Sequence, residues 1–272
     1  PGGGGMLLGQ KVSSRVAGMR TLPEGIDQRS ACRHPDWTGP DDLAIKIEQI
    51  REATDWRVPV HVKLGACRVD DDVKLAAKAG ADAIVIDSMV AGTGASAEVL
   101  IEHSGIPTVP AIVMAREALR ELGLYGKVSL IASGGIRHGA DAAKALALGA
   151  DAVAIGLGAL IALNCNKEIP ESNFREEIGV EAGFCHHCHT GKCPVGIATQ
   201  DPLLTKRLDP DEGAERVANY INSMTMEMTL LTRSLGKSDV HSLEPEDLAA
   251  LTLEASAMAR IPLVGTNKVF GE

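Results

Sequence analysis

Aromatic side chains are scarce in this chain of 272 residues, with three Phe, two Tyr and two Trp making up 3% of it. Its core must therefore be filled by short aliphatic residues. Basic residues are also outnumbered, 27 against 36 acidic ones, for a net charge of −9. That balance argues against a general nucleic-acid or anionic-membrane surface, although a local basic pocket is compatible with it. Small-molecule or protein partners are expected instead. No apolar run is long enough to cross a bilayer, and the first residues, PGGGGMLL, carry neither a basic region nor a cleavage site. The expectation is a soluble, cytoplasmic protein. Cysteine is sparse as well. Six in a chain this long and this apolar do not make a secreted disulfide scaffold. Three of them are clustered, and clustered thiols in a reducing compartment suggest a metal.

Apolar residues make up 45% of the sequence, dominated by alanine, valine, isoleucine and glycine. Parallel strands buried under helices have that composition, and the length is enough for one large α/β domain. The stretch from Ile131 to Leu160, IASGGIRHGADAAKALALGADAVAIGLGAL, reads as strand, glycine turn, helix, strand, glycine turn. Further strand signals lie at 58–64, 83–87 and 108–113, and helical patterns at 70–79, 95–104 and 115–122. A helix opens at Pro40, with Leu43, Ile45, Ile47, Ile50 and Ala53 giving a mostly apolar face. About five βα units result, with no alternating period-two face. A closed barrel of such units has eight strands, so the first strands are missing and the chain reads as the C-terminal part of a longer (β/α)8 TIM barrel. The expected organisation is a partial barrel over 1–163, an insert and cysteine loop over 164–200, and a helical extension over 201–272.

Two neighbouring strands thus end on Ser133-Gly134-Gly135 and on Gly156-Leu157-Gly158. Glycine lets backbone N–H groups approach a phosphate with no Cβ in the way, and a following helix start adds a favourable dipole. The last two βα loops of a barrel are the usual phosphate grip. Two ordinary turns in which glycine only relieves strain would look the same. Lys63 lies near the end of its strand in VHVKLGA, where barrel active sites sit. Such a lysine is costly to bury unless it meets an anion or an electron-rich ring, or it snorkels at a strand edge. Asp87 and Ser88 end the next strand at that same face. The loop Gly92-Thr93-Gly94-Ala95-Ser96 follows and can present N–H groups to a carboxylate or cofactor edge, or simply cap a helix with Ser96. Near the N-terminus, Ser13 or Ser14 can cap a short helix bearing Lys11, Arg15 and Arg20, cations that meet an acidic substrate or solvent.

After Leu163 comes a polar insert, Asn164 to Gly183, containing Pro170, Glu171 and Ser172. Cys185, Cys188 and Cys193 then follow with C-x2-C-x4-C spacing, and Pro194 comes next. Short spacings with proline after the last thiol suit an iron–sulfur cluster. A zinc knuckle using His186, His187 or His189 competes with it, as do structural thiols without metal.

PGGGG with GQKV, then VHVKL, GTGAS, SGG and CHTGKCPVGIATQ, resembles in order the central FMN-binding domain of glutamate synthases, from residue 1 to about Gly236. The resemblance implies a (β/α)8 barrel, FMN and an adjacent iron–sulfur cluster, usually 3Fe-4S. It implies a flavin phosphate at Ser133, Gly134, Gly135, Gly156 and Gly158, with Lys63 by the flavin ring and Ser88 nearby. Arg20 is implied for the 2-oxoglutarate carboxylate, with the Gly92, Thr93 and Gly94 loop beside the substrate. The activity implied is an oxidoreductase acting on CH-NH2 donors, in which reduced FMN passes a hydride to 2-iminoglutarate, formed from 2-oxoglutarate and an amine.

The sequence departs from the family at several points. A substrate-contacting glutamine falls at Met6, and the first cysteine of the family's C-x5-C-x4-C pattern falls at Ala182. Cys185 takes that place, or Cys165 does, or both join Cys188 and Cys193 around a 4Fe-4S cluster. The tail, KSDVHSLEPEDLAALTLEASAMARIPLVGT, resembles the large subunit of N-methylglutamate synthase, which works with separate amidotransferase-like and electron-donor subunits in an oligomer and exchanges methylamine for ammonia on glutamate. Bottom-up, Glu244-Pro245-Glu246 opens a helix whose Leu248, Leu251, Leu253 and Ala255 pack apolar surface. Three classes follow. One is a glutamate- or N-methylglutamate-forming flavin enzyme. Another is an inosinate or 2-hydroxy-acid dehydrogenase relative, which would lack CHTGKCPVG. The third is a non-catalytic scaffold or electron-relay subunit.

Overall fold

The computed structural model describes residues 5–29, 31, 34–167, 169 and 174–271. Most of the opening glycine run and the Pro170–Ser172 part of the insert lie outside them. In chain order the elements are α1 (Ser14–Arg20), α2 (Pro40–Ala53), β1 (His61–Gly65), α3 (Val69–Lys78), β2 (Ala83–Asp87), α4 (Glu98–His103) and α5 (Thr108–Glu121). They continue with β3 (Ser129–Ser133), α6 (Gly139–Ala147), β4 (Ala152–Ala154), α7 (Leu157–Ala162), α8 (Phe174–Ile178), α9 (Pro202–Thr205), α10 (Pro210–Ser234) and α11 (Leu253–Ala259). Single 3-10 turns punctuate the chain. No helix among the described residues is long and apolar enough to cross a membrane.

The four strands form one parallel sheet in the order β1-β2-β3-β4. Parallel neighbours need a crossover between them, and helices supply it. The register aligns Gly65, Asp87 and Ser133 side by side at the C-terminal ends of three strands. Two compact units make up the chain, one of Pro1–His34, Gly92–Glu102 and Leu157–Asn222, the other of Pro35–Ala91, His103–Gly156 and Ser223–Glu272.

The second unit holds the sheet. Its core is aliphatic, as the composition requires: Ile84 and Leu130 from the strands meet Val73 of α3 and Ile112 and Leu119 of α5, all essentially without exposure. α3 has the polarity that a helix dipole favours, with Asp70, Asp71 and Asp72 in its first turn and Lys78 in its last. Its Val69, Val73, Ala76 and Ala77 form the buried stripe.

The strand expected at 108–113 is instead the first half of α5, so the described sheet has four strands, not five. The physical reason lies in Pro107 and Pro110. A proline at 110 would leave a gap in the middle of an inner strand, whereas in the first turn of a helix its missing N–H costs nothing. Pro107 caps the helix in extended conformation, and Ala111, Ala115, Ala118 and Leu119 then continue the buried face. The apolar face expected of α2 is also narrower, because only Ile47 is buried and Ile45 and Ile50 are largely exposed. Residues two apart on a helix lie about 200° apart, so Ile45 cannot share a face with Ile47. At the tail, Pro245–Asp247 is a single 3-10 turn. The helix proper begins at Leu253 behind a Thr252 cap. Leu251 and Leu253 are exposed there, so they do not supply the apolar cover expected of them. The Lys237 ammonium halts the chain at that turn, donating to Ser242 O at 2.7 Å, Glu244 Oε1 at 3.0 Å and Asp247 Oδ2 at 2.5 Å.

Asp82 fastens the entry to β1. Its Oδ2 accepts the Val60 N–H at 2.7 Å and its Oδ1 accepts Arg51 Nη2 at 3.0 Å. The Val60 hydrogen bond, helped by the Arg51 guanidinium, holds this carboxyl below the usual aspartate range. A depressed folded-state pKa gives stability that is present above the unfolded value and lost as pH falls through the folded one. Asp82→Asn is thus expected to cost roughly 1 kcal/mol at neutral pH, modest because the carboxylate is partly exposed. The cost should shrink as pH falls through the depressed value. Denaturant unfolding at neutral and at acid pH checks this, and equal stabilities at neutral pH would contradict it.

Candidate active site and cysteine cluster

In the unit that holds the sheet, three strand ends build one polar line. Lys63 stands on β1 two residues before Gly65, hence on the same face. Its Nζ lies 3.1 Å from Asp87 Oδ2. The other oxygen of Asp87 accepts the Ser133 hydroxyl at 2.6 Å. Lys63 thus meets its anion within the chain, and its side chain stays 59% exposed, so the ammonium faces outward from the strand ends. A cation held by one carboxylate and still open on its far side can stabilise a further negative charge without reorganising.

Ser88, expected beside the cofactor, is turned inward and buried. Thr108 at the start of α5 gives its proton to Gly134 O at 2.8 Å, so Ser88 donates to Thr108 Oγ1 at 2.7 Å. Gly134 has φ +112°, and a Cβ there would stand 2.2 Å from Ser88 Oγ. Glycine is required at 134 by this packing alone. Gly135 has φ +71° and is exposed. Neither its N–H nor that of Ile136 finds an acceptor among the described residues. Gly156, after β4, is exposed, and a Cβ on it would meet nothing within 4 Å. Gly156 is open to an anion's approach, and the exposed Gly135 turn offers unpaired N–H groups although Val90 stands 3.1 Å from where a Cβ would lie, a combination that fits a phosphate. The start of α6 is not, because Glu227 Oε2 accepts the Gly139 N–H at 2.6 Å and His138 caps Asp141. Backbone N–H groups of the turn, not the α6 terminus, are what remains for a ligand.

The other unit gathers Cys165, Cys185, Cys188 and Cys193 with the candidate substrate loop. Ser13 caps α1 as expected, and Arg20 is its exposed last residue. Gly158 lies in α7. Met6, which stands where the family has a glutamine, donates its N–H to Ala95 O at 2.8 Å, so it lies beside the Gly92-Thr93-Gly94 loop. That loop backs onto the cysteines: a Cβ on Gly94 would stand 3.5 Å from Cys188 Sγ.

Cys165 joins Cys185, Cys188 and Cys193 as a charge neighbour. Burial first, then the nearby Cys188, Cys193 and Cys185 thiols, push its pKa up to about 11. Burial likewise raises Cys185 and Cys188, though Lys11 pulls Cys188 back. Thiols that penalise one another's ionisation form a place where thiolates persist only if positive charge is supplied, which is what bound iron does. Asn166, in left-handed conformation at φ +62°, ties the two ends of the cluster. Its Oδ1 accepts the N–H groups of Gly183 at 3.2 Å and Cys185 at 3.0 Å, and its Nδ2 points at Cys165 Sγ, 3.9 Å away. His189 Nδ1, between Cys188 and Cys193 in sequence, is buried with no hydrogen-bond partner. Arg207 closes the loop from outside, bonding Pro194 O at 2.9 Å and both oxygens of Glu177.

Among the described residues no three His, Cys, Asp or Glu side chains stand close enough to hold a single metal ion. Around one zinc, thiolates sit about 3.8 Å apart, from tetrahedral bonds of about 2.3 Å.

The sequence alone did not single out Asn166 or Thr108, whereas His189 stood among the zinc-knuckle candidates. An asparagine directly after a cysteine, in a polar stretch suited to positive φ, was the available sign for the first.

The chain belongs to the glutamate synthase family. The family profile described as a conserved region in glutamate synthase matches residues 1–171 and 174–238. A glutamate synthase large subunit-like protein of Rhizobium meliloti is 58% identical over 98% of this chain and 60% of its own length. The archaeal glutamate synthase [NADPH] of Methanocaldococcus jannaschii is 43% identical over 89% of this chain and 44% of its own. The glutamate synthase large subunit-like protein YerD of Bacillus subtilis is 32% identical over 88% and 43%. The chain therefore spans only about half the length of these curated relatives.

Proposed function

We propose that this chain is the FMN- and cluster-bearing part of a glutamate synthase-type oxidoreductase, which forms glutamate reductively from 2-oxoglutarate and ammonia through 2-iminoglutarate. The observation that carries the reading is the Lys63–Asp87–Ser133 line at the strand ends, beside glycine turns with approachable backbone. FMN, when bound, supplies the hydride chemistry. Its phosphate would be held at Ser133, Gly134 and Gly135 and at Gly156 and Gly158, with Ser88 bracing the turn from inside. Lys63 would sit at the ring, where an ammonium steadied by Asp87 stabilises anionic character. Arg20 would take a substrate carboxylate, and Gly92, Thr93 and Gly94 would border the substrate. Cys165, Cys185, Cys188 and Cys193 would hold an iron–sulfur cluster, 4Fe-4S if all four bind and 3Fe-4S if three do.

A second reading, a subunit of N-methylglutamate synthase that moves methylamine onto glutamate with release of ammonia, is favoured by Met6. A thioether replaces the family's amide beside the substrate loop, changing what that pocket can hydrogen-bond. Either enzyme would work in an assembly with separate amidotransferase-like and electron-donor subunits. A non-catalytic relay subunit would have no use for an exposed lysine held at the strand ends.

The test is an anaerobic visible spectrum with flavin and iron assays on the full-length protein purified with its native neighbours. Flavin bands over a broad iron–sulfur background support the redox reading and make turnover with methylamine against ammonia the next measurement. A colourless protein with zinc or no metal overturns it.

A further inference from the structure

We infer that Lys11 is the fixed cation that raises the electron affinity of the centre held by the cysteine loop, acting as a charge-setting and positioning residue and not as a ligand. The inference rests on the iron–sulfur reading above. Lys11 Nζ donates to the backbone carbonyl of Cys188 at 2.8 Å. Its stem crosses the far arm of the same loop, with Cα, Cβ and Cγ 3.7 to 3.8 Å from where a Cβ on Gly191 would stand. Gly191 has φ +83°, and its carbonyl accepts the buried Thr199 hydroxyl. One side chain thus touches the loop at a thiolate-bearing residue and again at the turn that returns to Cys193.

The base of Lys11 is held as tightly as its tip. It ends a 3-10 turn, Gly9–Lys11, whose next residue, Val12, is only 2% exposed. The Gly9 N–H donates to Asp27 Oδ1 at 2.6 Å, and the Gly25 N–H to Val12 O at 3.0 Å. A Cβ at Gly9 would come within 2.2 Å of Gly25 O, so that turn has no room to shift. A lysine serving only solubility needs no such anchoring, and it would not spend its ammonium on a carbonyl beside thiols. Among the described residues no carboxylate pairs with Lys11, whose ammonium rests on the Cys188 carbonyl.

Reduction adds one negative charge to an iron–sulfur centre. A cation fixed against the backbone of a thiol-bearing residue of the site would favour the reduced form, more so where the site is partly buried. The reduction potential then lies higher than the thiolates alone would set it.

The experiment is a potentiometric titration followed by electron paramagnetic resonance, on full-length protein purified anaerobically with its partner subunits, comparing wild type with Lys11→Gln and Lys11→Arg. The expected result is full iron in both variants, a midpoint shifted negative in Lys11→Gln, and one near wild type in Lys11→Arg. Equal midpoints for wild type and Lys11→Gln overturn the inference, as does the same shift in both variants, which would make hydrogen-bond shape the cause. Should Lys11→Gln shed its iron, Lys11→Arg decides: full iron with a wild-type midpoint upholds the need for a cation, and loss there too leaves Lys11 a mechanical strap. Wild-type protein without iron would instead fell the cluster reading itself.

Discussion

Replacing Cys188 by serine is expected to strip most of the iron from the protein while its flavin stays bound. The thiolate at 188 occupies the centre of the arrangement: it is a charge neighbour of Cys165, its carbonyl takes the Lys11 ammonium, and its sulfur faces Gly94 across a close approach. Serine keeps the size and removes the soft ligand that iron–sulfur centres require. Lys63, Ser133, Gly134, Gly135 and Gly156 lie in the other compact unit, and of the proposed flavin residues only Gly158 shares the unit of Cys188, so the flavin assay acts as the internal control. Iron content unchanged from wild type would remove Cys188 from the ligand set. Cys165→Ser is the informative companion. Asn166 binds the Cys165 turn to the Cys185 backbone, and a fourth thiolate at 165 predicts that this variant changes the resonance signature of the centre. An identical spectrum would leave three ligands and a 3Fe-4S centre.

The sequence revealed those parts of the fold in which one local signal dominates. Buried parallel strands such as 83–87 and 129–133 are short aliphatic runs closed by glycine or serine, and nothing competes with that reading. The stretch from 108 to 113 was ambiguous because Thr, Val and Ile favour strands while the alanines around them favour helix. Pro110, harmless in a first helical turn, was the deciding residue. Leu251 and Leu253 illustrate the opposite failure, apolar residues at plausible spacing that the tail leaves exposed because the Lys237 cluster stops the chain at Asp247.

At the candidate site, residue types were legible and their partners were not. SGG announces a turn, but the reason for its first glycine is the hydroxyl of Ser88 packed underneath, 46 residues before Gly134 in the chain, and only the tertiary structure brings the two together. Lys11 and Cys188 are joined across 177 residues. No periodicity encodes such a pair. Cys165 stood apart from the three-cysteine motif for the same reason, since an intervening insert hides a neighbour in space.

Lys63→Ala is expected to lower turnover about 100-fold, the order seen when one preorganised charge-stabilising donor is removed, and to leave the fold intact. The second half of that expectation follows from the geometry. The Lys63 side chain is 59% exposed and, among the described residues, its ion pair is the surface-facing one with Asp87, a pairing of small net worth to stability. Asp87 does not become an orphan when the lysine goes, because Ser133 still donates to its other oxygen. What is lost is the positive charge, and what remains at the strand ends is a carboxylate whose field now opposes any negative charge that develops there. The variant should therefore lose more than the lysine contributed alone, and Lys63→Ala combined with Asp87→Asn should recover part of the loss in turnover. Steady-state rates, with thermal unfolding as the control for the fold, check both. Full activity in Lys63→Ala would remove the lysine from the reaction, and a double variant no better than the single one would mean that Asp87 positions the ammonium without opposing the charge once it is gone.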